Sequence, residues 1–340
     1  MRMLILGGGW FVGRAVVVTA EAADHQVTVF NRGRSAPPSR IVTRVSGDRT
    51  DPADLARLAE HGPWDVVIDV HGVVPRHVGA AAAALRDAAE RYVLVSTVSV
   101  YRDWPREPVH EGSPLHPADP DADPGEWTWG TGVYGPLKSG AEAAAARVYS
   151  PERLVVVRPG VILGPGEYGN RLTWWLRRSA SGGKILAPGS PDDFLRPVDV
   201  RDLADFVLRL VEREAYGVYN VAGPADRDTW GDLLDACLTA TGTTAPVEWV
   251  DGQWLAAQGV RQWVELPMWR TAPGTWAIDT TRAQRAGLTC RPLAETVTDT
   301  WAWLASGGQP VTTDRQALHG LDSDWERQLL DRWEARQAAR

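Results

Sequence analysis

Lysine is almost missing from this chain. Only Lys138 and Lys184 occur in 340 residues, and the other 34 of its 36 basic side chains are arginines. A chain that writes its positive charge as arginine gives each surviving lysine added interest. Phenylalanine is nearly as scarce, four against 17 tryptophans, so indoles carry most of the large aromatic volume. The two cysteines, Cys237 and Cys290, supply no disulfide framework and fit a reducing compartment. They and the seven histidines show no metal-ligand spacing, so no metal is expected. Positive charge is in deficit overall: the formal net charge is −7. Phosphate contacts need a basic footprint, so this balance speaks against a nucleic-acid partner. No run reaches the ~18 apolar residues of a membrane span. The apolar N-terminal stretch is broken by glycines at 7 to 9 and lacks the long apolar core and cleavage site of a secretory signal. The expectation is a cytoplasmic chain, off the membrane, whose partner is a small-molecule substrate.

What is present is rhythm. Apolar runs at Met3–Leu6, Val27–Phe30, Ile41–Val45, Val66–Val70 and Tyr92–Ser96 read as strands. Helical stretches at Phe11–Ala20, Pro52–Glu60 and Val78–Glu90 separate them. Pro136–Tyr149 predicts a further helix, with strands at Leu154–Val157 and Gly217–Val221. Continuous apolar strands alternating with helices predict an α/β fold with a doubly wound parallel sheet, covered on both faces. The alternation is interrupted by a polar, Pro-rich loop over Arg102–Gly132 and weakens from about Asp226, where tryptophan becomes dense. The expected division is a dinucleotide-binding domain over 1–160 plus about 197–225. A smaller C-terminal substrate lobe takes about 161–196 plus 226–340 and ends in an amphipathic helix with Trp325, Leu329 and Trp333 on one face.

The first strand runs into "GGGWFVG", residues 7–13. Glycines between a strand and a helix permit a tight turn, and the helix N-terminus offers free N–H groups to a pyrophosphate. Gly7, Gly9, Trp10, Phe11, Val12 and Gly13 are therefore candidate cofactor contacts. The second strand ends in Asn31, Arg32 and Arg34, where NAD-specific sites usually carry an acidic residue for the ribose 2′-OH. Arginines there suit a 2′-phosphate, so NADP is expected ahead of NAD.

The stretch "YGPLK" carries the chemistry. Tyr134 and Lys138 lie four apart, on one face of a starting helix. A tyrosine exchanges a proton at neutral pH only if its phenolate is stabilised; a nearby ammonium does this and has donors left for a nicotinamide ribose. Seven tyrosines and two lysines make the spacing by chance far less than once in this length. Upstream, Ser96, Thr97 and Ser99 follow a central strand at its carboxyl end, where ligands collect in open α/β sheets.

In this order, the glycine turn, "STVSVY", "YGPLK" and "VVRPGVILGPGE" resemble the extended short-chain dehydrogenase/reductases, the NAD-dependent epimerase/dehydratase group. The likeness covers about residues 1–225. Within the group it is nearest the atypical members related to chloroplast stem-loop-binding proteins, whose turn also carries a large residue at the middle glycine position. The resemblance implies a Rossmann-type fold, Tyr134 as catalytic acid/base, Lys138 as its partner and Thr97 as the hydroxyl that orients substrate. It places Asp48 and Arg49 at the adenine side, and Arg158–Gly160, Pro159 among them, near the nicotinamide. Pairing through the sheet-flanking helices, as a homodimer, is common in the group. Three positions depart from its pattern. Trp10 stands at the middle glycine, Val161 replaces an asparagine after "RPG", and Leu195, with Arg196 beside it, replaces an arginine that grips sugar-nucleotide diphosphates.

His71 follows the fourth strand and is read as bordering the cofactor. Ser99, Trp129, Trp174 and Arg196 are substrate-side candidates, each with a packing role as the alternative. The expected activity is an NAD(P)-dependent oxidoreductase moving a hydride to or from a carbonyl, alcohol or imine of a small metabolite. An epimerase or dehydratase with tightly held NAD(P), or a non-catalytic RNA-binding or regulatory protein on the same fold, are the alternatives.

Overall fold

The computed structural model describes residues 1–33, 42–125, 132–310 and 319–339. The chain divides into two units. One comprises Met1–Gly160, Val200–Ala222 and Ala277–Thr289; the other comprises Val161–Asp199, Gly223–Trp276 and Cys290–Arg340.

The first unit is built on seven parallel strands: β1 (Arg2–Leu6), β2 (Gln26–Asn31), β3 (Thr43–Ser46), β4 (Trp64–Asp69), β5 (Ala89–Val95), β6 (Leu154–Pro159) and β7 (Gly217–Val221). Their order across the sheet is β7-β6-β5-β4-β1-β2-β3, every ladder parallel. The expected doubly wound sheet is thus borne out, and the strand order reverses between β1 and β4. That reversal is where open α/β sheets leave a crevice at their carboxyl ends. The strands form because they are apolar on both faces: Leu4, Ile5, Val66, Val67, Ile68, Val93 and Leu94 are all fully buried. Helices α1 (Phe11–Ala22) and α5 (Val200–Glu212) pack together, burying Val16, Val17, Leu203 and Val207. On a second core, α2 (Pro52–Glu60), α3 (Pro75–Leu85) and α4 (Tyr134–Ala146) bring Leu55, Leu58, Val78, Leu85 and Ala141 against Leu4, Val67, Tyr92 and Val156.

The third helix is shorter than the pattern predicts. The alanine run favours a helix through Glu90, yet α3 ends at Leu85 and Ala89 already pairs with Trp64 in the β4–β5 ladder. Arg153 fixes the change of direction: its guanidinium collects the carbonyls of Arg86, Ala89 and Glu90. The segment Ala277–Thr289 joins this unit through a bridge between Ile278 and Val109 and a hydrogen bond from Asn220 Nδ2 to the Asp279 carbonyl.

The second unit has its own core of Leu172, Trp175, Leu176, Trp230, Leu233, Leu234, Trp269, Leu329 and Trp333. Two-residue to four-residue strand pairs, such as Ile185–Pro188 with Val247–Val250, stiffen it. Its helices include 172–180, 230–241, 293–305 and the terminal 323–338. In the terminal helix Leu329 and Trp333 are buried and Trp325 packs at the margin, which is the face the spacing predicts.

Candidate active site

Strand β1 delivers the chain into a turn that needs glycine at specific places. Gly7 has φ +119 and Gly8 φ +77, backbone that L side chains rarely adopt. Gly13, one turn into α1, has no room: a Cβ there meets the Gly8 amide nitrogen at 2.6 Å. Trp10 is different. Its φ of −133° and ψ of 151° are ordinary extended backbone, so no glycine is demanded, and its side chain is 48% exposed. The left-handed geometry falls instead on Phe11, at φ +32, whose ring is buried. Gly9 and Val12 are half-buried within the same bend and first helical turn. The N-terminus of α1 has no side-chain cap and no acidic residue in its first turn, whereas α2 is capped by Asp51. A helix start without a side-chain acceptor or an acidic residue is the kind of end on which a dinucleotide pyrophosphate is bound.

At the end of β2, Asn31 is held from three sides. Its Nδ2 donates to the Gly7 carbonyl at 3.2 Å, and its Oδ1 accepts from Gly33 N–H at 3.0 Å and from Arg44 Nη2 at 3.0 Å. Arg32 is exposed beside it. Arg34 lies outside the described residues, as does Trp129. Arg44, on edge strand β3, went unmarked in the sequence; only the β2–β3 register, Asn31 opposite Ser46, brings it here.

The end of β4 is a buried ion pair. Arg49 donates from Nη1 and Nη2 to both oxygens of Asp69, at 3.0 and 2.7 Å, and the Tyr92 hydroxyl donates to Asp69 Oδ2 at 2.8 Å. Burial alone would raise the Asp69 carboxyl; the Arg49 guanidinium outweighs it and holds its pKa below the usual carboxylate range. Arg49 is thus committed to Asp69, although the resemblance placed it with the cofactor. Asp48 Oδ1 accepts from the amide and hydroxyl of Thr50. His71 follows Asp69 with an exposed side chain, and its backbone N–H donates to Asp69 Oδ1 at 3.2 Å. Partial desolvation of the ring, then the cations Arg49, Lys138 and Arg32, lower its pKa.

Strand β5 ends in Ser96 and Thr97. Thr97 caps the short turn Val98–Val100: its Oγ1 accepts from Ser99 N–H at 3.1 Å and donates to Ser99 Oγ at 3.3 Å. Helix α4 docks on this turn through Gly135, where a Cβ would meet the Ser99 carbonyl oxygen at 2.3 Å. That contact sets Tyr134, the half-buried first residue of α4, beside the Thr97–Ser99 turn. One turn later Lys138 is 3% exposed, and its Nζ donates to the carbonyls of Gly72 and Val95, at 2.5 and 2.8 Å. These acceptors follow β4 and end β5. An ammonium has three donors, so one is left beyond the two carbonyls. Burial lowers the Lys138 pKa to about 8 against the pull of Asp69 and Glu142.

Behind this row lies a buried polar network. Glu142 accepts from Arg158 Nε and Nη2 and from the Ser96 hydroxyl, Arg158 Nη1 donates to the Tyr101 hydroxyl, and Tyr101 donates to Asn220 Oδ1. Arg158 faces this network, and Pro159 closes β6 opposite Val221. Ser96 is committed here as well; of the other two hydroxyls at the strand end, Thr97 is buried and Ser99 half-buried.

In the second unit, Arg196 is 9% exposed and its Nε donates to the Gly223 carbonyl at 2.8 Å. Leu195 is fully buried. Trp174 packs edge-on against Trp175 with centroids 4.6 Å apart. Among the described residues no cluster of His, Cys, Asp and Glu fits a metal ion, and no helix is long and apolar enough to cross a membrane.

Comparison with known proteins bears on the family and the fold. Residues 3–123 match the NAD dependent epimerase/dehydratase family. The chloroplast stem-loop binding protein of 41 kDa b from Arabidopsis thaliana is 25% identical over 261 residues, covering 72% of this chain and 64% of its own length. The chain thus spans less than two thirds of that relative. A 2′-dehydrokanamycin reductase from Streptomyces kanamyceticus is 34% identical over 122 residues, 34% of this chain and 33% of that protein. Among solved structures, the Bordetella bronchiseptica enzyme WbmH in complex with NAD+ superposes with a TM-score of 0.68 at 17% identity, covering 91% of this chain and 99% of that one. The resemblance drawn from the motifs is borne out at the level of family and fold.

Proposed function

We propose that this chain, whose residues 3–123 match the NAD dependent epimerase/dehydratase family, is an NADP-preferring oxidoreductase that reduces or oxidises a carbonyl, alcohol or imine carbon of a small metabolite. The observation that carries the reading is Lys138. A buried ammonium is costly unless it is hydrogen-bonded. Two carbonyls fix this one at the carboxyl ends of β4 and β5, with a donor to spare, on the helix that opens with Tyr134.

The uncapped N-terminus of α1 binds the pyrophosphate, and the arginines after β2 take the 2′-phosphate. The nicotinamide, when bound, supplies or accepts the hydride. Lys138 donates its remaining N–H to the nicotinamide ribose, and its charge stabilises the Tyr134 phenolate. Tyr134 passes a proton to, or takes one from, the substrate oxygen or nitrogen. Thr97 holds that atom with its hydroxyl. His71, neutral and open, borders the cofactor without adding charge to it.

Replacing Tyr134 by Phe is expected to cut kcat by roughly 10²- to 10⁴-fold, the usual worth of a positioned acid/base, and to leave NADPH binding unchanged. Unchanged turnover in the variant would sink the mechanism. The family match keeps a second reading in view: an epimerase or dehydratase that oxidises and re-reduces within one turnover. The two part on reduced-nicotinamide absorbance, which changes stoichiometrically with product in the oxidoreductase and returns to its start in the other. Leu195 favours the oxidoreductase, since a buried leucine offers no grip on a sugar-nucleotide diphosphate.

A further inference from the structure

We infer that Arg44, on edge strand β3, is the principal reader of the 2′-phosphate and that Asn31 holds it ready for that task. The inference rests on the NADP reading above and names the residue that would enforce it. Exposed arginines are usually free to rotate, and binding then costs the entropy of fixing them. Arg44 is already fixed. Its Nη2 donates to Asn31 Oδ1 at 3.0 Å, and Asn31 is in turn locked by Gly33 N–H and the Gly7 carbonyl. Its guanidinium lies over Gly33, with Nη2 3.1 Å from where a Cβ would stand, so a side chain at 33 would displace it. Gly33 itself has φ +77, backbone that suits glycine.

The charge logic points the same way. Asn31 occupies the strand end where an acidic residue would receive a ribose 2′-OH. A carboxylate there would pair with Arg44, cancel its charge and repel a phosphate. The amide takes one of the five guanidinium N–H donors and leaves the full positive charge. Arg44 has no ion-pair partner among the described residues. The Asp54 carboxylate, which follows β3, accepts from Arg57 at 2.6 Å and from the Asp48 amide. The same asparagine reaches the Gly7 carbonyl, so one side chain links the turn proposed for the pyrophosphate to the arginine proposed for the 2′-phosphate.

The test is a binding titration of wild type, Arg44→Ala, Arg44→Lys and Arg32→Ala with NADPH, NADH, adenosine 2′,5′-bisphosphate and 5′-AMP, read by tryptophan fluorescence. Arg44→Ala is expected to weaken NADPH and the bisphosphate by roughly 10- to 100-fold, the worth of a charge-assisted contact. NADH and 5′-AMP should bind it as they bind wild type, which also certifies its fold. Arg44→Lys should recover part of the loss, because it restores charge without the fork. Arg32→Ala should lose less than Arg44→Ala. If Arg44→Ala keeps the wild-type preference, or Arg32→Ala loses more, Arg44 is not the principal reader and the inference falls while NADP preference stands. If Arg44→Ala weakens both dinucleotides equally, Arg44 is structural and the inference falls. If wild type does not prefer NADPH over NADH, the NADP reading falls and takes the inference with it.

Discussion

Lys138 concentrates the residue-scale physics. Its pKa is lowered from 10.5 to about 8 because burial penalises the ammonium more than Asp69 and Glu142 support it. The sign follows directly. Between about 8 and 10.5 the unfolded chain holds a proton that the folded one has released, so this group's contribution to stability rises with pH across that window. For binding the dependence is opposite, since only the protonated form donates to a ribose with full strength. NADPH affinity is therefore expected to weaken as pH rises through about 8, and Lys138→Met should bind weakly with no such limb. A wild-type affinity flat from pH 7 to 9.5 would remove Lys138 from the cofactor site. Trp10 belongs to the same scale. The sequence marks it as an obstacle at a glycine position, but a φ of −133° shows that the position never needed glycine for its backbone. What it needs is room in front, and a half-exposed indole leaves that to side-chain placement. Composition made the lysine legible. The strain at Phe11 was not, because no residue-type signal marks a single positive φ outside glycine and asparagine.

Elements are what turn these residues into a constellation, and α4 is the decisive one. Its first turn carries Tyr134, its second Lys138, its third Glu142, so one helix placement sets the tyrosine proposed to exchange the proton, the ammonium proposed to support it and the buried Glu142–Arg158 pair together. The spacing of four was readable directly from the sequence. The docking was not: it depends on the Ser99 carbonyl resting where a Gly135 side chain would be. Gly135→Ala places a Cβ 2.3 Å from that oxygen, far inside van der Waals contact, so the helix start must retreat. A displacement near 1 Å at a reacting group costs on the order of 10²-fold in rate. Gly135→Ala should therefore lose about that much kcat while NADPH, proposed to be held by the glycine turn, the β2 end and Lys138 one turn deeper in α4, keeps its affinity within a few-fold. Full activity in the variant would show that Tyr134 is not held by this contact. Edge strand β3 makes the complementary case. Apolar periodicity located it, but which of its side chains meets Asn31 depends on register, and a one-residue slip would turn Arg44 to the other face.

At the scale of the whole molecule, the sheet unit was legible because its strands are buried on both faces, so continuous apolar runs announce themselves. The second unit was far less so. Its strands are pairs of two to four residues, too short for any period, and its core is assembled from tryptophans such as Trp175, Trp230 and Trp333 brought from distant segments. Arg196 shows the limit: beside Leu195 it looked like a substrate grip, yet its guanidinium is turned onto the Gly223 carbonyl.

Net charge is the one whole-chain property that separates the enzymatic reading from the RNA-binding one raised by the stem-loop binding relative. Each phosphate neutralised contributes through counterion release, so RNA affinity tracks the number of lysines and arginines aligned on one surface. This chain carries a net charge of −7. Several of its arginines are consumed internally: Arg49 on Asp69, Arg158 on Glu142, Arg178 on Glu326, Arg227 on Asp228. A stem-loop RNA is expected to produce no mobility shift at micromolar protein in about 0.15 M salt, while NADPH at the same protein concentration quenches tryptophan fluorescence. The outcome that reverses this is tight RNA binding whose logarithm falls steeply with the logarithm of salt concentration, without dinucleotide binding. That pair of results would mean that the glycine turn and the Tyr134–Lys138 pair survive as scaffold on a surface given over to another ligand.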